Sequence, residues 1–184
     1  MRVKEWMTPP PQIPATASVA EARQRAEAQN LAVLFVVDEQ SRLLGFLTRR
    51  ALTAAPSPEL PVEKLLTPPQ DVLTPEDPIE RAAVLLEHYL VLPVVDPERR
   101  LVGVLSKDRL LQALTHLAAI GEEGLRIRLR PHEPSEIYRA LAILAEERAE
   151  LVAVLRGLEG EVILHVQGVR EPQRLRQRLE EALR

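Results

Sequence analysis

The side chains able to do chemistry are few, and their spacing does not gather them. Four histidines, His88, His116, His132 and His165, show no H-x-x-x-H spacing, so a metal site has little support. His132-Glu133 precedes Pro134 in a loop and does not match a zinc-protease helix. His88 and His116 fall on predicted helices and His165 on a predicted strand, where each reads as a surface or interface residue. The chain has no cysteine, which removes disulfides, thiolate metal sites and cysteine nucleophiles. Glu122-Glu123, Glu146-Glu147 and Glu180-Glu181 are adjacent pairs that do not face one another on a helix, and they read as solvated surface. No G-x-S-x-G, Walker A or G-x-G-x-x-G sequence occurs. What remains is a pair of hydroxyls, Thr48 and Ser106, each between an apolar strand and a short helix, where simple N-capping is one reading. Trp6 reads as a packing or dimer-contact residue, with ligand stacking as the other possibility.

The elements that position these hydroxyls recur at an offset of roughly 58 to 60 residues. Thr8-Pro9-Pro10 returns as Thr67-Pro68-Pro69, and Leu34 to Asp38 returns as Leu92 to Asp96. Leu43-Leu44-Gly45-Phe46-Leu47-Thr48 returns as Leu101-Val102-Gly103-Val104-Leu105-Ser106. The first copy carries a short insertion between its helix and its second strand. Ser18 to Gln29 lacks Gly and Pro and predicts a helix with Val19, Ala22 and Ala26 on one face. Pro78 opens its counterpart, with Ile79, Ala82, Val84 and Leu86 as apolar contacts. The β-branched run after each helix suits a strand buried on both faces. A helix closes each copy near Ala55 or Ala119. The unit is strand–helix–strand–strand–helix, and a half-core this small implies that the copies pack together.

Composition bounds the rest. The chain has 184 residues, 46% of them hydrophobic, and a net charge of −3. It can build a core and lacks the basic surface of a nucleic-acid binder. The longest clearly apolar run, Leu31 to Val37, is far short of a membrane span, and no signal-length apolar core opens the chain. A soluble, cytoplasmic protein with no nucleic-acid or membrane partner is expected. Lysine occurs only at Lys4, Lys64 and Lys107. Abundant Arg, Glu and loop Pro fit either a hot growth environment or a GC-rich genome.

The order of TP, helix, VVD and G-x-x-[ST] resembles the CBS domain, and two in tandem resemble a CBS pair, or Bateman module, over about residues 1 to 120. In this family adenosine ligands sit in clefts between paired motifs. The resemblance implies that Thr48 and Ser106 contact phosphate at helix N-termini that favour anions. It implies apolar walls for adenine from Ile13, Val33 and Leu34 in the first copy, and from Val72, Leu73, Leu92 and Pro93 in the second. The position where the family places a ribose-binding Asp reads Ala51 in one copy and Arg109 in the other, with Asp108 one residue early. Arg109, Arg50 or Lys107 could meet phosphate instead. The second copy is expected to be the better anion site.

Beyond the acidic stretch between Gly121 and Gly124, Leu125 to Arg130 alternates strictly as a strand with one wet face. A helix starts at Pro134-Ser135 with Ile137, Leu141 and Leu144 as its stripe. Leu151 to Leu155 and Glu161 to Gln167 form a hairpin across Gly157 to Gly160. A last helix opens at Pro172 with Leu175, Leu179 and Leu183 inside. The order βαββα resembles an ACT-type ferredoxin-like domain lacking its last strand, or a degenerate third CBS motif. The regular first strand, and the absence of a G-x-x-[ST] end after Glu161 to Gln167, favour the ACT-like reading. A CBS pair followed by such a domain resembles the acetoin utilization protein family.

The expectation is therefore an α/β (α+β) chain with a CBS motif at 1–58, a second at 59–120 and an ACT-like domain at 125–184. It would be a non-catalytic, homodimeric regulator that requires no cofactor. It would sense an adenine nucleotide (AMP, ADP or ATP) and act on a partner enzyme. The alternative is an interaction scaffold whose ligand sites have degenerated. An enzyme with an unrecognised site is the remaining class.

Overall fold

Ser18 shows how the first copy starts. Its hydroxyl accepts from the Glu21 N–H while Glu21 reaches back to the Ser18 N–H, a capping box that opens α1 (Val19–Ala28). The computed structural model describes residues 1–182, and Leu183, expected inside the last helix, lies outside them. Around α1 stand β1 (Gln12–Pro14), β2 (Val33–Val37), β3 (Leu43–Thr48) and α2 (Arg49–Thr53). The strand order is β1-β2-β3, with β1 parallel and β3 antiparallel to β2. The second copy repeats this as α3 (Ile79–Leu85), β4 (Val91–Val95), β5 (Leu101–Ser106) and α4 (Lys107–Leu117). Its first strand shrinks to one parallel bridge, Leu73 to Val94. The Asp that ends each VVD run builds the following turn: Asp38 accepts from Gln40 and Arg42 N–H, and Asp96 from Arg100 N–H.

The two copies exchange their entry segments. Val3 lies fully buried in the second copy's core beside Leu73, Ile79 and Leu105, with Trp6 and Met7 packed on it. Val62, equally buried, completes the first copy's core with Ile13, Val19 and Leu47. Two reciprocal bridges seal the exchange, Thr8 to Val104 and Phe46 to Thr67. A third apolar cluster, Phe35, Val37, Leu43, Val95, Leu101 and Val104, fills the space between the two sheets.

The chain divides into two compact units, Met1–Ala113 and Leu114–Arg184. The second unit is a βαββα sandwich: β6 (Leu125–Leu129), α5 (Pro134–Glu146), β7 (Glu150–Arg156), β8 (Val162–Gln167) and α6 (Pro172–Ala182). Its sheet is antiparallel in the order β6-β8-β7, a ferredoxin-like, ACT-like arrangement of three strands. Leu129, Ala140, Leu144, Leu164, Leu175 and Leu179 form its core. The helical stripe on α5 is offset from expectation. Glu136, Ala140 and Leu144 are the buried positions, while Ile137 and Leu141 are half-buried. Glu136 tolerates this because its carboxylate accepts from the His132 N–H at 2.8 Å. Glu146 and Glu147, expected as free surface, both accept from the Arg178 guanidinium, which ties α5 to α6.

Candidate functional site

The glycine of each G-x-x-[ST] segment is required by close approach and not by its backbone angles, since neither Gly45 nor Gly103 has positive φ. A Cβ on Gly45 would lie 2.7 Å from the Thr67 carbonyl oxygen, and one on Gly103 would lie 2.8 Å from Met7 Sδ. These glycines let each exchanged segment lie against the opposite copy's last strand. The exchange brings Phe46 and Thr67 together and helps shape a pocket of about 170 Å³. Val33, Phe35 and Phe46 of the first copy form one wall, and Tyr89, Leu92 and Pro93 of the second form the other.

The polar end of the pocket was not foreseen. Asp71 lines it, and its Oδ2 accepts from the Tyr89 hydroxyl at 2.7 Å. That hydrogen bond, followed by burial and the charge of Asp71, pushes the Tyr89 phenol above its ordinary 10.0. Asp71 Oδ1 has no hydrogen-bond partner among the described residues and remains free to accept. His88 belongs to no helix. It lies in the turn after α3 and lines the same pocket. His165, expected at a surface, is buried at 2% exposure because Glu123-Gly124 folds over it, and its Nε2 lies 3.2 Å from the Glu123 carbonyl.

Two stretches, 3–57 and 62–116, match the CBS domain family. The chain belongs to that family. Among solved structures, a CBS domain pair/ACT domain protein from Thermotoga maritima is 32% identical. It matches 62% of this chain and 96% of that one, with a TM-score of 0.57. The cytosolic domain of the Mg²⁺ channel MgtE, solved with ATP, is 30% identical over 61% of this chain and 48% of that one, with a TM-score of 0.56. CBSX2, solved with AMP, is 26% identical over 61% and 95% of the two chains, also at 0.56. This chain spans only part of the curated relatives it matches, 21% of a magnesium transporter MgtE from Thermus thermophilus and 27% of an inosine-5'-monophosphate dehydrogenase from Methanocaldococcus jannaschii.

Within the CBS pair, the residues singled out from sequence separate into three groups. Val33, Leu92 and Pro93 line the pocket, and Val72 packs among Val33, Phe46 and Val91 beside it. Leu34 and Leu73 turn into the two cores, Leu92 also belongs to the second core, and Ile13 sits in the first core at the edge of a different groove with Gln12 and Arg25. Thr48 and Ser106 are helix caps: Thr48 Oγ1 accepts from the Ala51 N–H at 3.2 Å and Ser106 Oγ from the Arg109 N–H at 3.3 Å. Each hydroxyl can still donate its own proton. Ser106 is the register partner of Val91 and Thr48 that of Val33, and both valines line the pocket, so both hydroxyls stand beside its rim. Arg50, Lys107, Asp108 and Arg109 are exposed, with Arg109 bonded to Gln112.

The two motifs differ in one crosslink. Arg49, after the first motif's hydroxyl, grips Asn30 Oδ1 at 2.8 Å and the Leu31 carbonyl at 3.1 Å. At the matching place in the second motif Lys107 reaches only the Glu87 carbonyl, at 3.5 Å. The hydroxyl end is therefore tied down in the first motif and loosely held in the second.

Proposed function

We propose that this chain is a non-catalytic, cytoplasmic regulator that senses an adenine nucleotide in the second motif's cleft and passes the signal through its ACT-like domain to a partner enzyme. The observation that carries this reading is the pocket between the aromatic wall Phe35–Phe46 and the Tyr89–Pro93 wall. Two apolar faces suit a flat heterocycle. At about 170 Å³ the cavity is smaller than the roughly 300–1,000 Å³ of whole-ligand pockets. It fits a base, leaving the sugar and phosphate at the rim near Ser106, Lys107 and Arg109. Asp71 is the carboxylate in reach of a ligand hydroxyl, now that the family's usual position holds Arg109. The ATP and AMP held by MgtE and CBSX2 support the ligand class. The functional division follows 1–58, 59–120 and 125–184, and the domain order supports a place beside the acetoin utilization proteins. Gly121, at φ 89° with open space around it, gives the connection freedom that a side chain would restrict.

A homodimer completes this reading. Leu111, Leu114 and Leu117 expose an apolar stripe along α4, at 65%, 37% and 49% exposure, and such a stripe suits burial against a second copy.

Calorimetric titration of the whole chain with AMP, ADP and ATP is the test. One of them should bind, and Val33→Trp, which fills the pocket, should abolish that binding. The scaffold reading has its own support: both hydroxyls already cap helices, and Ala51 and Arg109 replace the usual Asp. If none of the three nucleotides binds at millimolar concentration, the scaffold reading replaces the sensor.

A further inference from the structure

β6 is an outer strand. It pairs with β8 on one side, and among the described residues nothing pairs with its other side, so a row of backbone N–H and C=O groups faces outward. Beside this edge runs a groove of about 500 Å³ between β6 and α6, with Leu129 and Leu179 in its lining. Apart from Ile127, its remaining lining is charged and mostly cationic: Arg126, Arg128 and Arg130 at every second position of the strand segment, and Arg176 opposite on α6, against the single carboxylate of Glu180. The internal compensation is thin. Glu161 serves two guanidiniums, Arg130 at 2.8 Å and Arg128 at 3.7 Å. Arg126 is bonded to the Ala118 and Ala119 carbonyls, neutral acceptors that leave its charge unbalanced. Arg176 has no ion pair among the described residues.

We propose that the free edge of β6 is a strand-addition site for an extended acidic segment of a partner protein. The segment would alternate Glu or Asp, set against the Arg face, with apolar residues turned toward Leu129 and Leu179. Backbone pairing supplies affinity in such sites, and alternate side chains supply specificity. A second copy of this chain fits the edge poorly. Two β6 strands paired antiparallel would set arginine against arginine on one face, and like charges directly opposite are destabilising. The proposal concerns the C-terminal domain and stands whether or not the CBS cleft binds nucleotide.

The experiment uses the full chain and a fluorescein-labelled peptide of alternating Glu and Val, read by anisotropy. The Glu/Val peptide should bind, and a Lys/Val peptide should not. N-methylation of alternate amides on the Glu/Val peptide, which keeps its charge but blocks pairing, should abolish binding. Removing two cross-strand charge pairs in Arg126→Ser/Arg128→Ser should weaken binding by roughly 2- to 30-fold. That variant leaves Glu161 its nearer partner Arg130, and if it fails to fold, the N-methylated peptide decides on the unaltered chain. Undiminished binding of the N-methylated peptide would reduce the site to charge alone and overturn the proposal, as would no binding of the Glu/Val peptide. Since the chain has no cysteine, Arg128→Cys provides a clean check on self-pairing. Ready oxidation to a covalent dimer would put a second copy on this edge and also overturn it.

Discussion

Alanine at Gly45 and at Gly103 should have unequal costs, although the two positions match in the repeat. A Cβ on Gly45 would lie 2.7 Å from the Thr67 carbonyl oxygen and 2.8 Å from Leu66 Cδ1. Ordinary contact begins at 3.4 Å, so the carbonyl must retreat by about 0.7 Å. That carbonyl accepts from the Phe46 N–H at 2.9 Å, and the Thr67 N–H donates back to Phe46 at the same distance. A retreat of that size takes both bonds past the length at which they count as bonds. Losing two costs about 0.5–1.5 kcal/mol each, and crowding adds about 1–3 kcal/mol. A less flexible unfolded chain returns about 0.4–1 kcal/mol. Gly45→Ala should therefore lose about 1–6 kcal/mol. On Gly103 the nearest atom is Met7 Sδ at 2.8 Å, the middle of a flexible side chain that can turn aside. Gly103→Ala breaks no bridge and should lose less, about 0–2.6 kcal/mol, the crowding less the unfolded-chain return. Urea unfolding followed by circular dichroism, at equal m-values, measures both. If Gly103→Ala is as costly as Gly45→Ala, the argument from rigid backbone against flexible thioether is wrong.

Tyr89 should stay protonated above its ordinary 10.0, because its hydroxyl donates to Asp71 and ionisation would set a phenolate beside a carboxylate. Its contribution to stability is then present below 10.0 and lost as pH rises through the raised value. Tyrosinate absorbance should show Asp71→Asn moving Tyr89 down toward its ordinary 10.0, and unchanged titration would dismiss the Asp71 bond. Ser106→Ala and Thr48→Ala should each lose a helix cap worth about 0.5–2 kcal/mol. Only Ser106→Ala should also weaken AMP binding by calorimetry, and an equal loss at Thr48 would contradict the choice of cleft. Light scattering should find a dimer in the parent chain and a monomer after Leu111→Glu, while a monomeric parent removes the dimer altogether.

Much of the fold was legible because its signals are local. Ser18 with Glu21, Pro78 and Pro172 mark helix starts within a few residues, and the runs from Val33 and from Val91 are apolar enough to identify buried strands unaided. The exchange of entry segments was not legible. Val3 and Val62 carry the same local pattern whether they complete their own copy or the other, and only packing between the copies decides. The same holds for the pocket. Val33, Leu92 and Pro93 could be named as walls, but strand periodicity did not tell Leu34 and Leu73, which face the cores, from residues that face the cleft. Asp71 and Tyr89 lie far enough apart in sequence that no motif links them. His165 was misread because alternation assigns a face to a strand residue and says nothing of a loop that later covers that face.

The exchanged entry segments also bear on the order in which the protein can be completed. Thr8 is made well before Val104, yet its bridge waits for that residue, and Val3 finds its core only once Leu105 exists. Domains generally fold from the N-terminus as they are synthesised. Here residues 3–8 have no core to enter until the second motif has emerged, so they stay unpacked through much of synthesis. Long-range closures of this kind slow folding, and a ribosome that stalls before Val104 would hold a chain with Val3, Trp6 and Met7 still outside their core.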